Sequence, residues 1–202
     1  MRVLLVCGEF PPMRSSGAVQ LRDLAREFVR EGHSLTCLGA SVGSIGTAVR
    51  RHLEGYETVH IGIPNPKVAN RFRRVAAEFF SPYILIRAVR RELAAFTGYD
   101  CVIWYSPTIF LGPVVKYLKK INCCKGYLII RDIFPEWALD IGLMGPGLPY
   151  KFFKYIANQQ YEQADIIGVQ SQGNLAYFEQ WQSGHPERRV EVLQNWLAHA
   201  ND

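Results

Sequence analysis

The chain has 202 residues, 49% hydrophobic and 20% charged, and its 23 basic against 18 acidic side chains leave a formal net charge of +5. This is ordinary globular composition, long enough for one well-buried domain or at most two very small ones, and it excludes disordered and collagen-like classes. The mild basic excess is compatible with a phosphate-bearing ligand or an anionic membrane surface and requires neither. Five cysteines, an odd number with Cys123 and Cys124 adjacent, do not form a disulfide framework and fit a reducing cytosol.

Arg2 to Cys7 (RVLLVC) reads as a buried strand. A lipoprotein cleavage box at Leu4 to Cys7 is rejected, because the apolar stretch is too short for a signal segment and Glu9 follows at once. Pro11, Pro12 and the Ser15-Ser16-Gly17 run form a loop. From Ala18 the apolar residues Leu21, Leu24, Ala25, Phe28 and Val29 fall on one helix face, with Arg22, Asp23, Arg26, Glu27 and Arg30 opposite. Gly32 ends that helix and His33 to Leu38 returns as a strand, after which Gly39 to Gly55 reads as loop with a short helix.

Thr58 to Ile63 is the next strand, stopped by Pro64. Lys67 to Phe96 is helical and is expected to break or kink at Ser81-Pro82. Tyr99 to Tyr105 is a strand, Phe110 to Ile121 a helix and Gly126 to Ile130 a strand that ends on Arg131-Asp132-Ile133-Phe134-Pro135-Glu136-Trp137. A turn over Gly142 to Pro149 leads into a helix from Tyr150 to about Ala164. A strand and turn over Asp165 to Ser171, a helix from Asn174 to Trp181 and a last strand at Val190 to Leu193 complete the chain. Strand and helix alternate throughout, which predicts an α/β fold: a Rossmann-like, doubly wound, mainly parallel sheet with helices on both faces. No stretch reaches the roughly 18 apolar residues of a membrane-crossing helix, so any membrane contact is expected to be peripheral.

Ligands of open α/β sheets bind beyond the carboxyl ends of the strands. Two stretches sit there. Ser15, Ser16 and Gly17 precede a helix, where backbone amides and the helix dipole can meet an anion; the same residues would equally serve as an N-cap and tight turn. Arg14 beside them is either an anion partner or a solvated loop residue. Arg131 and Asp132 leave a buried strand as charged residues, with Asp132 alternatively capping the next turn. There is no G-x-G-x-x-G, which disfavours a dinucleotide site. The histidines and cysteines show no ligand spacing, so no metal site is expected. Arg71, Arg73, Arg74, Arg87, Arg90 and Arg91 alternate with Phe72, Phe79, Phe80 and Tyr83, a surface that suits anionic lipid headgroups or is simply a solvated helix face. No nucleic-acid module accompanies these arginines.

Three stretches together resemble the N-terminal domain of GT4-like, GT-B glycosyltransferases, in particular the bacterial enzymes of O-antigen, capsule and colanic-acid synthesis. They are Phe10-Pro11-Pro12 with Gly17 and the helix into Gly32-His33; Arg131-Asp132-Ile133-Phe134-Pro135-Glu136; and Ala164 to Ser171 with Val192 to Trp196. The resemblance spans nearly the whole chain and implies a single acceptor-side domain over residues 1–202, with a nucleotide-sugar-binding donor domain lying outside it. It implies metal-independent, retaining transfer of a sugar from a nucleotide-sugar to a polyprenyl-diphosphate-linked saccharide at the inner leaflet, and no activity for this chain alone.

In that setting Ser15, Ser16, Gly17 and Arg14 would face the donor diphosphate. Asp132 and Arg131 would serve the chemistry, Asp132 by orienting or deprotonating the acceptor hydroxyl. Glu136 would bind the acceptor sugar, Trp137 and Trp196 could stack on a sugar ring, and Arg71, Phe72, Arg73 and Arg74 would touch the membrane. Relatives often carry a histidine near Arg131-Asp132 that touches the transferred sugar; that contact does not carry over. The rival reading is a non-catalytic scaffold that recruits a catalytic partner chain to the membrane.

Overall fold

The computed structural model describes residues 1–8, 10–11, 13, 15–65 and 71–196. Eight strands form one sheet in the order β3-β4-β2-β1-β5-β6-β7-β8. They are β1 (Arg2–Cys7), β2 (Ser34–Val42), β3 (Ala48–Leu53), β4 (Tyr56–Ile63), β5 (Cys101–Ser106), β6 (Lys125–Ile130), β7 (Ile166–Val169) and β8 (Arg189–Val192). All neighbours are parallel except the β3–β4 hairpin. The helices are α1 (Ser16–Arg30), α2 (Arg71–Arg91), α3 (Gly112–Asn122), α4 (Glu136–Asp140), α5 (Leu148–Tyr161) and α6 (Glu179–Gln182). From β1 the chain builds outward to β2 and β4, then crosses to β5 and builds the other way, so the strand order reverses between β1 and β5. Such a switch leaves a crevice at the carboxyl edge.

The period-2 alternation of side chains divides the core. Val3, Leu5, Cys7, Cys37, Ile103, Tyr105 and Ile129 pack on one face beneath Leu21 and Ala25 of α1. Leu4, Val6, Leu38, Val102, Trp104 and Leu128 pack on the other, beneath residues of α2, α3 and α5 such as Val89, Val115, Leu118 and Ala157. With helices on both faces, the doubly wound expectation holds.

Three local expectations are corrected. Most of residues 39–55, expected as loop with a short helix, is strand: β2 runs on to Val42, turns occupy 43–47, and β3 pairs antiparallel with β4 through a turn at Glu54 (φ 49°) and Gly55 (φ 88°). The signal was hidden because β3 is an edge strand whose middle residues are exposed, so it carries no apolar alternation. Arg50 instead ties it to Glu57 and Glu92.

Helix α2 passes through Pro82 without ending. A proline removes the N–H that would reach the carbonyl four residues back; here that is Glu78, and the Ser81 hydroxyl donates to it instead at 2.9 Å. Residues 172–178 form 3₁₀ turns ahead of the short α6 rather than one helix over 174–181.

Candidate functional site at the carboxyl edge of the sheet

Arg131 and Asp132, neighbours in sequence, go to opposite faces of the sheet. The alternation that places Ile129 under α1 carries Arg131 to the same side, and Asp132 follows Leu128 and Ile130 to the other. Arg131 is buried, at 8% exposure. Its Nη2 donates to Gln20 Oε1 of α1. The guanidinium lies 5.8 Å from the Tyr105 ring centre and 5.4 Å from that of Trp196, within cation–π range of both. Trp196 is itself anchored, its indole N–H donating to the Gln20 carbonyl at 2.9 Å. Arg131 Nη1 is buried and has no hydrogen-bond partner among the described residues.

On the opposite face, a cavity of about 250 Å³ opens where β5 and β6 end; Asp132, Trp137, Phe134, Phe153, Phe110 and Glu78 are among its lining residues. Its aromatic wall is continuous: Phe134 stands 6.0 Å from Trp137 and 5.2 Å from Phe153, ring centre to ring centre. Asp132 is exposed and makes no hydrogen bond or ion pair among the described residues. The floor is fixed by Gln160, a fully buried side chain. Its Nε2 donates to Ser106 Oγ (2.7 Å) and the Thr108 carbonyl (3.3 Å), and its Oε1 accepts from the Leu111 N–H (3.1 Å). A carboxylate beside exposed aromatic rings is suited to a hydroxylated ligand with an apolar face.

The structure therefore unites only part of the expected site. Trp137 (41% exposed) joins Asp132 in the cavity. Glu136, buried at 8%, does not line it. It is ion-paired with Lys154 of α5, and its Oε2 has no partner. Ser15 is the N-cap of α1, its hydroxyl accepting from the Ala18 N–H at 3.2 Å, with Ser16 exposed and Gly17 buried behind it. The capping role is thus observed, and the amides of Ser16 and Gly17 remain in the first turn beside it. Arg14 and the side chains of Arg71, Phe72, Arg73 and Arg74 lie outside the described residues. Nearby, burial and Arg51 lower the pKa of His60, against a hydrogen bond to the Pro11 backbone that raises it.

Sequence reasoning missed Gln20, Tyr105, Glu78 and Gln160. Tyr105 and Arg131 were recoverable as a pair by carrying the strand alternation one residue past β6. Gln160 looked like an ordinary polar residue of α5, and nothing in the sequence shows that it faces the end of β5. Among the described residues no three of His, Cys, Asp and Glu converge in a way that could hold a metal ion, and no helix is long and apolar enough to cross a membrane.

No protein-family model and no curated protein matches the sequence. Solved structures do. The sucrose-phosphate synthase of Thermosynechococcus elongatus superposes with a TM-score of 0.66 at 12% identity, over 96% of this chain and 48% of that one. An α,α-trehalose-phosphate synthase (UDP-forming) from Burkholderia xenovorans, in complex with glucose-6-phosphate, gives 0.62 at 11% identity over 91% and 43%. Arabidopsis thaliana UGT89C1, complexed with UDP-L-rhamnose, gives 0.58 at 16% identity over 98% and 49%. The chain spans about half the length of these proteins, and 88% of a shorter chain of the cyanobacterial synthase. Likeness at this identity establishes the fold: a Rossmann-like domain of the kind from which GT-B glycosyltransferases are built.

Proposed function

We propose that this chain is the acceptor-side, N-terminal domain of a GT-B glycosyltransferase. The complete enzyme moves a sugar, with retention, from a nucleotide-sugar to a polyprenyl-diphosphate-linked saccharide in the synthesis of a bacterial surface polysaccharide. On the face from which the diphosphate departs, the acceptor hydroxyl oxygen bonds to the anomeric carbon and its proton passes to Asp132. The bond from that carbon to the diphosphate breaks, and the nucleoside diphosphate leaves with the electron pair. Amides at the start of α1 (Ser16, Gly17), with Ser15 and Arg14, meet the negative charge that develops there, without a metal ion. Trp137 stacks on the acceptor sugar, and Glu136 acts from behind it by holding α4 to α5. The donor-binding half supplies the nucleotide pocket, so this chain alone has no transferase activity.

The observation that carries this reading is the cavity itself: a carboxylate with no partner among the described residues, beside an exposed tryptophan, at the carboxyl edge of a fold shared with sugar-transferring enzymes. Titration of the 202-residue chain with neutral oligosaccharides, followed by tryptophan fluorescence, tests it. Saturable binding weakened about tenfold in Trp137→Ala and unchanged in Trp196→Phe supports the acceptor site. Binding indifferent to Trp137 would remove it.

The membrane part of the proposal has its own support. Phe80 and Tyr83 of α2 and Leu148, Phe152 and Tyr155 of α5 are exposed. Phe79 joins the two helices, 5.4 Å from Phe80, 6.3 Å from Tyr83 and 6.4 Å from Phe152. An exposed aromatic face beside arginine-bearing helix is the composition of an interfacial surface.

A further inference from the structure

We propose that Arg131 is a latent oxyanion site, covered by Trp196, that takes a phosphate-type group. The inference goes beyond the acceptor cavity, which lies on the other face of the sheet.

Four observations converge on it. Arg131 is more than nine-tenths buried, yet its described contacts are an amide oxygen and two aromatic rings, none of them anionic. A buried guanidinium without a counter-charge among the described residues is expensive to keep, and its Nη1 has no hydrogen-bond partner among them. The residue that holds its other nitrogen, Gln20, sits in α1, the helix whose capped first turn faces the same edge. Of the three side chains around the guanidinium, Gln20 and Tyr105 are buried and Trp196 is partly exposed, so solvent is reached past Trp196.

A planar fork with one nitrogen fixed and one free presents its open side to a tetrahedral oxyanion. Rings hold a cation weakly compared with an anion, so a phosphate that reaches Arg131 displaces Trp196 rather than joining it. Trp196 stands four residues after the end of β8, on the segment that follows the sheet. Anion binding at Arg131 therefore releases the segment carrying Trp196 from α1, which couples occupancy of the phosphate site to the Trp196–Gln20 contact.

The test uses the 202-residue chain, thermal unfolding and tryptophan fluorescence, with inorganic pyrophosphate, UDP and glucose 6-phosphate as probes and sodium chloride at equal ionic strength as control. The wild type is expected to gain roughly 2–4 °C at saturating phosphate probe, with a change in tryptophan emission absent from Trp196→Phe. Trp196→Ala, which uncovers the site, is expected to bind the same probe several-fold more tightly. Arg131→Met is expected to unfold at a higher temperature than the wild type and to lose the probe-dependent shift, because it removes together a buried charge with no anionic partner among the described residues and the ligand's anchor.

A stronger response to UDP than to glucose 6-phosphate identifies the donor diphosphate as the source, and the reverse identifies a phosphorylated acceptor. Either supports the shared chemistry. A less stable Arg131→Met that still responds to the probes, or a Trp196→Ala that responds to none of them, overturns the proposal. Should Arg131→Met fail to fold, Trp196→Ala decides alone. Oligosaccharide binding in the cavity is read separately through Trp137, so loss of one site leaves the other standing.

Discussion

The two edges of the sheet treat their charged groups in opposite ways. At the amino edge, Asp165, just ahead of β7, accepts from Lys119 Nζ (2.5 Å), Lys125 Nζ (3.0 Å) and the Gly126 N–H (2.7 Å). Asp100, just ahead of β5, accepts from the Arg2 N–H at 2.7 Å, and the Arg2 guanidinium reaches the carbonyls of Thr97 and Gly98 at 3.3 and 3.1 Å. At the carboxyl edge, and among the described residues, Arg131 Nη1 and Glu136 Oε2 are buried without hydrogen-bond partners, and Asp132 is unpartnered. Polar groups at the first edge are consumed in tying strand starts to their neighbours. The charged groups named at the second keep atoms without a described partner, the condition in which a group is available to something outside the chain.

The comparison breaks most visibly if Asp132 is dispensable. In the transferase completed by its donor-binding half, Asp132→Asn is expected to lower kcat by roughly 10²–10⁴-fold, measured as sugar transfer to acceptor. The unfolding midpoint should not move, since the carboxylate makes no described contact. Asp165→Ala should do the reverse. It strands the Gly126 N–H and Lys119, at a cost of about 2 kcal/mol, or roughly 4–8 °C in a chain of this size. Calorimetry should register that loss while oligosaccharide affinity stays at the wild-type value.

Gln160 is the case that joins the two behaviours. It is fully buried and satisfied, yet what it satisfies is the floor of the cavity. Gln160→Leu is expected to lose about 2 kcal/mol of stability and to weaken saccharide binding as well, because Thr108 and Phe110 shift. A variant that loses stability with binding intact would show that the floor is set elsewhere. Trp137→Ala should be milder: saccharide affinity about tenfold weaker, near 1.4 kcal/mol, with no change in midpoint for a residue already 41% exposed.

How much of this was legible beforehand follows from the same asymmetry. The buried strands, the helices and their order are written as hydrophobic period, and that signal is local. Arg131, Asp132 and Trp137 stood out because charge directly after an apolar run is conspicuous. The edge strand β3 was not legible, since an exposed strand has no apolar alternation and its pairing rests on a turn and on arginine–glutamate contacts. Nor was the separation of Arg131 from Asp132 read, although strand alternation implied it. The partnership of Gln20 with Arg131 and Trp196 spans 111 and 176 residues of sequence; no local pattern encodes it.

The smallest expected effect is the pH dependence of the amino edge. Burial by itself would raise the Asp165 carboxyl, but the hydrogen bonds from Lys119, the Gly126 amide and Lys125, with the charge of Lys119, outweigh it and hold the pKa below the ordinary value of 3.8. A carboxyl whose folded pKa is depressed binds its proton more readily in the unfolded chain. Its contribution is therefore complete above the ordinary value and is lost as pH falls through the lower, folded one. The stability gap between the wild type and Asp165→Asn should then be constant from neutral pH down to about 5 and close progressively below the ordinary carboxylate range. Unfolding by urea at stepped pH measures the gap. A gap that instead widens on acidification would mean that burial, not the lysines, governs Asp165, and the amino edge would no longer stand apart from the carboxyl edge in how it satisfies its charges.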